Sequence, residues 1–213
     1  MSHDQTHNRR EYAHAELRRA QLHEDPLYQF KQWMDAALAA ELTDATAMAL
    51  ATADAQGRPS NRIVLLKAFD TQGFTWFTDY RSHKGADLAA NPHAALLFYW
   101  REFERQVRID GVVAQVSREE SQHYIQSRPS DSRMAAAGSY QSAVVSDRQV
   151  LEQSVAALHE EYADGEVPTP DHWGGYRLMP HRYEFWQGRE GRLHDRFRYS
   201  EVDSRWIIER LQP

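Results

Sequence analysis

Short apolar segments separated by turn residues fill the middle of the chain, and they restrict its fold more than any other feature. Only one short helical segment, 85–90, interrupts them. Successive parallel strands need a crossover of about a dozen residues or more, whereas antiparallel strands are joined by short turns. The spacing therefore favours an antiparallel sheet that closes into a small barrel and argues against a parallel dinucleotide-binding fold. The segments with strand-like composition are 48–53, 61–67, 74–78, 94–100 and 106–116.

Helices are predicted before and after these strands in the sequence. The first begins with Asp25 as N-cap and Pro26 at the first helical position. A capping box at Ser117 predicts another helix that runs to about Arg128, where Pro129 stops it. The apolar face of the first helix is predicted to be Leu27, Phe30, Met34, Ala37 and Leu38.

The last third of the chain contains a further helix and more strands. We expect an Ala-rich turn that closes at Gly138, followed by a helix from the capping box of Ser146 and Gln149 to about Tyr162. Its inward residues would be Val150, Leu151, Val155 and Leu158. The fold class is therefore mainly β with flanking helices, an α+β fold. Strand-like segments that would complete the sheet are 174–179, 182–187, 196–199 and 206–211.

Length and composition limit the class of protein. The 213 residues suffice for one domain with a full core. We expect residues 25–213 to form that domain and residues 1–24, which are polar, to form a mobile N-terminal arm. The absence of cysteine excludes disulfides, a thiolate nucleophile and Cys-based metal sites, and we predict no metal.

Charge and hydropathy limit the kinds of partner that the protein is expected to bind. The net charge of −6 argues against a general nucleic-acid binder. No segment approaches the roughly 18 apolar residues of a membrane helix, so we expect no membrane partner. The polar start does not resemble a signal peptide, and we expect a cytoplasmic protein.

Positive charge is concentrated around two strand-like segments, Asn61–Lys67 and Phe74–Thr78. The residues 70–73 between them predict a β-hairpin. The chain has three lysines against twenty-two arginines, and two of the lysines, Lys67 and Lys84, lie in this region. A cation at the end of a buried apolar strand is costly unless an anion meets it, and we interpret that anion as a phosphate.

Strand alternation complicates this interpretation. Arg62 and Lys67 are an odd number of residues apart, so they would face opposite sides of a regular strand. A bulge, a strand that ends before Lys67, or two different phosphates would each account for the spacing. We favour two phosphates.

A second cationic stretch lies near the C-terminus. Trp186 could contact a flat heteroaromatic ring there. If the segment is extended, Arg192, His194 and Arg196 alternate onto one face. The alternative is a polar strand that faces solvent.

Six cationic side chains are enough to hold two phosphates if they converge, although a single surface arginine is more often solvated. Tyr124 and Arg128 are four apart, so they share one face near the end of their helix. The six cations are Arg62, Lys67, Lys84, Arg128, Arg192 and Arg196.

Several motifs, taken together, resemble the pyridoxamine 5′-phosphate oxidases, a family of flavin enzymes. The resemblance runs from about Arg9 to the C-terminus. It implies an antiparallel split β-barrel homodimer with FMN at two sites, each made by both subunits. The motifs are Arg62-Ile-Val-Leu-Leu-Lys67, Glu104-Arg-Gln-Val107, Ser127-Arg-Pro-x-Asp-Ser132, Gln141-Ser142, Trp173-Gly-Gly175, Glu184-Phe-Trp-Gln-Gly188 and Arg192-Leu-His-Asp-Arg196.

The resemblance also implies roles for individual positions. Arg192 and His194 are the candidates for catalysis, since they would orient the substrate and assist proton removal. The positions that would bind FMN are Arg62, Ile63, Val64, Leu65, Leu66, Lys67, Phe77, Thr78, Lys84, Gln106, Gln141, Ser142, Trp186 and Arg196. Those that would bind the substrate are Lys67, Tyr124, Arg128, Ser132, Arg192 and His194, with Arg9, Arg10, Glu11 and Tyr12 of the arm as a lid. Tyr124 and Arg128 on one helix face, with Ser132 just beyond Pro129, would form a clamp for the substrate phosphate.

The reaction implied is the oxidation of pyridoxamine or pyridoxine 5′-phosphate to pyridoxal 5′-phosphate, the last step of vitamin B6 cofactor synthesis and salvage. FMN would take a hydride from C4′ and pass the electrons to O₂, which leaves as H₂O₂, and the amine substrate would also release ammonia. Another flavin reductase or a haem-handling relative would lack the Arg192-x-His194 pair and the clamp residues. A non-catalytic carrier of FMN or pyridoxal phosphate is a third interpretation.

One position departs from the family pattern. Where the family often has Arg-Lys, this chain has His83-Lys84. Histidine is only partly charged near neutral pH, so we expect FMN retention to weaken as pH rises.

Overall fold

Residues 11–162 and 167–213 are described by the computed structural model. Their contacts group them into two compact units. The terminal unit comprises the described residues up to Ala49 together with Ala95–Asp110 and Pro180–Pro213. The central unit comprises Leu50–Ala94 and Gly111–Met179. The division into an arm over 1–24 and one domain over 25–213 stays a prediction.

The secondary structure is dominated by strands, as the sequence predicts. The strands are β1 (Ala47–Ala53), β2 (Pro59–Leu65), β3 (Ala68–Asp70), β4 (Gly73–Asp79), β5 (His93–Trp100), β6 (Arg105–Gln115), β7 (Trp173–Gln187), β8 (Asp195–Val202) and β9 (Arg205–Leu211). They form a sheet of order β2-β1-β5-β6-β7-β4-β3, with β8 paired to β7 and β9 paired to β8. The helices are α1 (Pro26–Ala39), α2 (His83–Ala90), α3 (Arg118–Gln126), α4 (Ser130–Gly138) and α5 (Arg148–Glu161). None of these helices is long and apolar enough to cross a bilayer.

The predicted hairpin is wrong in its first strand. β4 pairs with the three-residue β3, with Ala68 opposite Thr75 and Asp70 opposite Gly73, whereas β2 neighbours β1. The turn itself is the expected one, because the Asp70 side chain accepts a hydrogen bond from the Gln72 backbone N–H. The error is the break between Leu65 and Ala68, which leaves only the short β3 in the hairpin and allows β2 to pair with β1.

Lys67 lies between β2, which ends at Leu65, and β3, which begins at Ala68. Alternation along β2 therefore does not apply to Lys67. Of the three explanations for its spacing from Arg62, the strand that ends before Lys67 is the one observed. Whether the two cations serve different phosphates stays a prediction.

The first helix is confirmed, with one correction. Asp25 accepts a hydrogen bond from the backbone N–H of Leu27 at 2.8 Å, and Pro26 occupies the first position. Phe30 and Met34 are buried on its inner face. Leu38, predicted on the same face, is 51% exposed because the buried face of α1 passes through Trp33 and Ala37 and leaves Leu38 beside it.

The later helices depart further from the predictions. The expected Ala-rich turn is the helix α4, which buries Met134 and Ala136. The N-cap of α5 is Asp147 rather than Ser146, since the Asp147 carboxylate accepts from the Val150 N–H at 3.1 Å. α5 has no fully buried residue, and its predicted inward residues Val150 and Leu151 are exposed.

We predict that Gly85→Ala destabilises the protein by about 3 kcal/mol, because the added Cβ would overlap the backbone carbonyl oxygen of Tyr80. Gly85 lies in the first turn of α2, where the neighbouring backbone cannot give way cheaply. Gly57→Ala is the matched control: Gly57 has a φ of +76° but nothing near its Cβ position, so its cost is the backbone strain of about 1 kcal/mol. The free energy of unfolding from urea titration measures both. Equal losses would contradict the steric argument.

Candidate active site

A cavity of about 570 Å³ lies within the central unit. Pro129 and Trp173 line it. Its other lining residues are twelve of the positions predicted to bind FMN or substrate: Arg62, Ile63, Val64, Leu65, Lys67, Phe77, Thr78, Lys84, Tyr124, Arg128, Ser132 and Gln141. These residues come from β2, β4, α2, α3, α4 and the connections after them, so the fold brings together positions far apart in the sequence.

Lys84 is a buried cation at one end of this set, with 7% of its surface exposed. Its Nζ donates hydrogen bonds to Thr78 Oγ1 at 3.0 Å, Ser82 Oγ at 3.2 Å and Gln141 Oε1 at 2.5 Å. All three acceptors are neutral. Within the ranges 11–162 and 167–213, no carboxylate forms an ion pair with Lys84, which leaves its charge available to an anion.

The pKa of Lys84 reflects this setting. Burial, assisted by the positive charge of Arg62, lowers it to about 8, although Asp79 acts in the opposite direction. Keeping the Lys84 ammonium group charged in the folded protein therefore costs free energy at neutral pH. An anionic ligand would offset that cost, so the donor set fits the phosphate of a flavin nucleotide.

Arg62 is the second cation of the cavity. Its Nη1 donates to the Leu50 carbonyl oxygen at 3.0 Å and to Thr52 Oγ1 at 2.8 Å, and its Nη2 donates to Ser60 Oγ at 2.5 Å. Burial lowers the pKa of Arg62, while the charge of Asp87 raises it. Arg62 is therefore held in one place by acceptors from β1 and β2.

The predicted clamp residues face the same cavity. The Tyr124 ring stacks on Phe77 with 3.8 Å between centroids and lies nearly parallel to Trp173. The Arg128 guanidinium lies 5.1 Å from the centre of the Trp173 ring. α3 ends at Gln126, two residues before Arg128, so the clamp is built by the helix end and the following turn rather than by one helix face.

Not every predicted flavin position in the central unit lines the cavity. Leu66 is buried, and Ser142 lies in a turn with a φ of 73°. In the part of the chain that the structure describes, no group of three or more His, Asp or Glu residues is placed to hold a metal ion.

The terminal unit contains the remaining predicted site residues. Tyr12 makes edge contacts with Trp186 and His194, at centroid distances of 5.6 and 5.4 Å. The backbone N–H of Arg189 donates to Nδ1 of His194 at 3.1 Å. Burial, together with the charges of Arg192 and Arg196, lowers the pKa of His194. His194 is therefore neutral at pH 7 and carries its proton on Nε2.

The expected alternation of Arg192, His194 and Arg196 is wrong. Arg192 ends a short turn, Glu190–Arg192, with a φ of 62°, and β8 begins only at Asp195. Arg196 donates from Nε to Glu184 at 2.8 Å. Gln106 lies half-buried in β6, and Glu11 is exposed, while Arg9 and Arg10 lie outside the described residues.

Sequence reasoning overlooked several residues around the cavity. Thr52, Ser60 and Asp87 hold Arg62 but carry no motif. Asp87 could have been noticed, because it lies three residues after Lys84 on the same short helix. Trp173 belongs to the motif Trp173-Gly-Gly175, but no role is predicted for its side chain from the sequence.

Comparison with known proteins decides the family. Residues 34–162, more than half of the chain, match the model described as pyridoxamine 5′-phosphate oxidase. The chain belongs to this family. Residues 173–213 match a second model, described as the pyridoxine 5′-phosphate oxidase C-terminal dimerisation region, which covers β7, β8 and β9.

Full-length relatives agree with this assignment. The chain is 54% identical over 204 residues to a pyridoxine/pyridoxamine 5′-phosphate oxidase of Deinococcus deserti, with 95% of each chain covered. It is 55% identical over 206 residues to pyridoxine/pyridoxamine 5′-phosphate oxidase 1 of Ralstonia nicotianae, with 96% of this chain and 97% of the relative covered. The chain is therefore an oxidoreductase of this family.

A solved structure confirms the fold. PhzG of Burkholderia lata, crystallised with tetrahydrophenazine-1-carboxylic acid, superposes with a TM-score of 0.86 at 32% identity. The match covers 91% of this chain and 95% of that one. The predicted antiparallel split β-barrel is thus confirmed.

We predict that Lys84→Met removes a pH-dependent part of the stability of the FMN-free protein. The pKa of Lys84 is about 8 in the folded state, against an ordinary value of 10.5. Between pH 8 and 10.5 the unfolded chain binds more protons at this site, so the free energy of unfolding rises with pH there, by about 3 kcal/mol over the window. Unfolding titrations at pH 7.5 and 10 measure the rise, which should be smaller in Lys84→Met.

The His83→Arg variant is the control for this measurement. His83 is exposed on α2, with Nε2 3.6 Å from the Asp87 carboxylate. The substitution leaves the buried Lys84 ammonium in place, so His83→Arg should keep the rise above pH 8. An undiminished rise in Lys84→Met would mean that Lys84 is not the group responsible.

Proposed function

We propose that this chain binds FMN in the central cavity and oxidises pyridoxamine and pyridoxine 5′-phosphate to pyridoxal 5′-phosphate. O₂ receives the electrons and leaves as H₂O₂, and the amine substrate also releases ammonia. The observation that carries the proposal is one cavity with two sets of anion-binding side chains. The first set contains Lys84 and Arg62, and the second contains Tyr124, Arg128 and Ser132.

The first set suits the flavin phosphate. Lys84 offers a desolvated ammonium group that donates to three neutral oxygens, and Arg62 offers a guanidinium held in place by β1 and β2. A phosphate between two such groups receives charge-assisted hydrogen bonds in a low-dielectric setting. Thr78 and Gln141, which already hold the Lys84 ammonium, can adjust their hydrogen bonds to the same ligand.

The second set suits the phosphate of the vitamin B6 ester. Arg128 supplies a fork of donors, Tyr124 a phenol and Ser132 a hydroxyl at the start of α4. Lys67 lies between β2 and β3, where its backbone N–H donates to the Thr75 carbonyl oxygen, and its side chain adds a point charge to this cavity. A phosphate fixed in this way would place the pyridine ring at a defined distance from the flavin.

The redox chemistry, removal of a hydride from C4′ and delivery of the electrons to O₂, is supplied by FMN when it is bound. Among the residues of the terminal unit, neutral His194 with its proton on Nε2 would donate a hydrogen bond to the substrate rather than accept a proton at Nδ1. Arg192 would orient the substrate. Gln106, Trp186 and Arg196 stay proposed FMN contacts, and Glu11 and Tyr12 stay proposed parts of a lid.

The assembly proposed is a homodimer, and the match of residues 173–213 to a dimerisation region supports it. A cytoplasmic location stays the prediction made from the sequence.

The deciding experiment is spectroscopic and enzymatic. The purified protein should bind FMN with a change in flavin absorbance and release peroxide when pyridoxine 5′-phosphate is added in air. Flavin binding without peroxide release would indicate a carrier instead. A protein that neither binds FMN nor releases peroxide would overturn the proposal.

Two arginine variants distinguish FMN binding from catalytic turnover. Arg62→Ala should lower FMN content at least tenfold, because it removes a charged contact to the flavin phosphate. Arg192→Ala should lower turnover by a similar factor while FMN content stays near that of the wild type, because Arg192 acts on the substrate. FMN content from absorbance and initial rates of peroxide release measure both, and equal FMN loss in the two variants would refute the division.

Trp173 should set the position of Arg128. Removing the ring in Trp173→Leu should raise KM for pyridoxine 5′-phosphate about fivefold with little change in kcat, since the cation–π contact is lost. Trp173→Phe keeps an aromatic face and should change KM less than twofold. FMN content of both variants serves as the control, and a KM unchanged in Trp173→Leu would exclude this role.

A further inference from the structure

Two hydroxyl groups connect Arg62 to the buried carboxylate of Asp87. Thr52 Oγ1 accepts a hydrogen bond from Arg62 Nη1 at 2.8 Å and donates to Asp87 Oδ2 at 2.6 Å. Ser60 Oγ accepts from Arg62 Nη2 at 2.5 Å and donates to the same oxygen at 2.7 Å. The two hydroxyls lie 3.1 Å apart. The four side chains therefore form one connected network within the central unit.

The carboxylate at the end of this network is well shielded. Asp87 is 3% exposed and lies on α2. Burial works against its charged form, but the hydrogen bonds from Thr52 and Ser60 and the nearby charges of His83 and Arg62 lower its pKa overall. Asp87 is thus ionised at neutral pH and polarises both hydroxyls toward itself, which orients their lone pairs toward Arg62.

The hydroxyl bridges leave part of the guanidinium free. Arg62 Nη2 lies 3.8 Å from Asp87 Oδ2, beyond a direct hydrogen bond. A direct bidentate pair would occupy two donors of the guanidinium and neutralise its charge. The described residues provide acceptors for Nη1 and for one hydrogen of Nη2, but none for Nε–H or the second Nη2 hydrogen. These two donors are adjacent on one edge of the guanidinium.

We propose that Thr52, Ser60 and Asp87 are positioning residues that hold the free edge of Arg62 ready for the flavin phosphate and so make the site select FMN over riboflavin. The inference rests on the proposed function, since it takes Arg62 as a contact of that phosphate. A fixed arginine loses little side-chain entropy on binding, whereas a mobile one must first be ordered. The gain is confined to ligands that carry the phosphate.

The test compares two substitutions of Thr52. Thr52→Val replaces the hydroxyl by a methyl group of similar size, and Thr52→Ser keeps the hydroxyl. Dissociation constants for FMN and riboflavin, from quenching of flavin fluorescence on binding to the FMN-free protein, give the preference for FMN. We expect Thr52→Val to weaken FMN binding about tenfold and riboflavin binding less than twofold, and Thr52→Ser to retain the wild-type preference.

Ser60→Ala is the second variant, because Thr52 is buried and its change to Val could impair folding. It removes the other bridge from a partly exposed position on β2 and should reduce the preference for FMN in the same direction. An unchanged FMN preference in a folded Thr52→Val or Ser60→Ala protein would overturn the positioning role. Equal weakening of FMN and riboflavin would overturn it too. A wild-type protein that binds neither flavin would instead refute the proposed function.

Discussion

The buried ammonium group of Lys84, which has no carboxylate partner among the residues that the structure describes, is the constraint on which the rest of the site depends. Burying an unpaired charge is among the most costly events in folding, and the pKa near 8 records that cost. Lys84 also lies in the first turn of α2, where the helix dipole disfavours a cation. Three neutral oxygens solvate the group but do not neutralise it. The FMN-free protein is therefore destabilised at the place where an anion would stabilise it, and ligand binding must couple to folding stability.

Arg62 and Arg196 illustrate two ways of holding a guanidinium. Arg196 donates from both Nε and Nη2 to Glu184, and from Nη1 to the carbonyl oxygen of Gln212. Most of its donors are thus occupied, and its charge is balanced by a carboxylate. Arg62 is hydrogen-bonded to its carboxylate only through hydroxyls, with Nη2 3.8 Å from Asp87 Oδ2, so it keeps donors for a ligand. Of the two arginines, Arg62 is the better prepared to bind an anion, although both were predicted to contact FMN from the same motif resemblance.

Local chemistry explains what could be predicted from the sequence. The N-cap of α1, the turn after Asp70 and the cations near Lys67 and Lys84 are encoded in neighbouring residues, and the structure confirms the elements and brings these cations to one cavity. The predicted partner of β4 was wrong because the strand 61–67 ends at Leu65 and pairs with β1, so only the short β3 pairs with β4 across the turn. The network around Asp87 could not be predicted, since a threonine, a serine and an aspartate from separate elements gain meaning only when the fold joins them.

The two sets of cations raise a further question, since like charges in one low-dielectric cavity repel. Aromatic rings lie between the two sets in the cavity lining. Phe77 precedes Thr78, which accepts a hydrogen bond from Lys84 of the first set, and it stacks on Tyr124 of the second set. Phe77 is the only residue of β4 that is not buried. A rigid aromatic contact of 3.8 Å thus links the two sets. If both phosphates bind, their negative charges offset the repulsion. The contact between Phe77 and Tyr124 then limits how far either set of side chains can move. The separation of the two ligands is then a property of the fold rather than of the ligands.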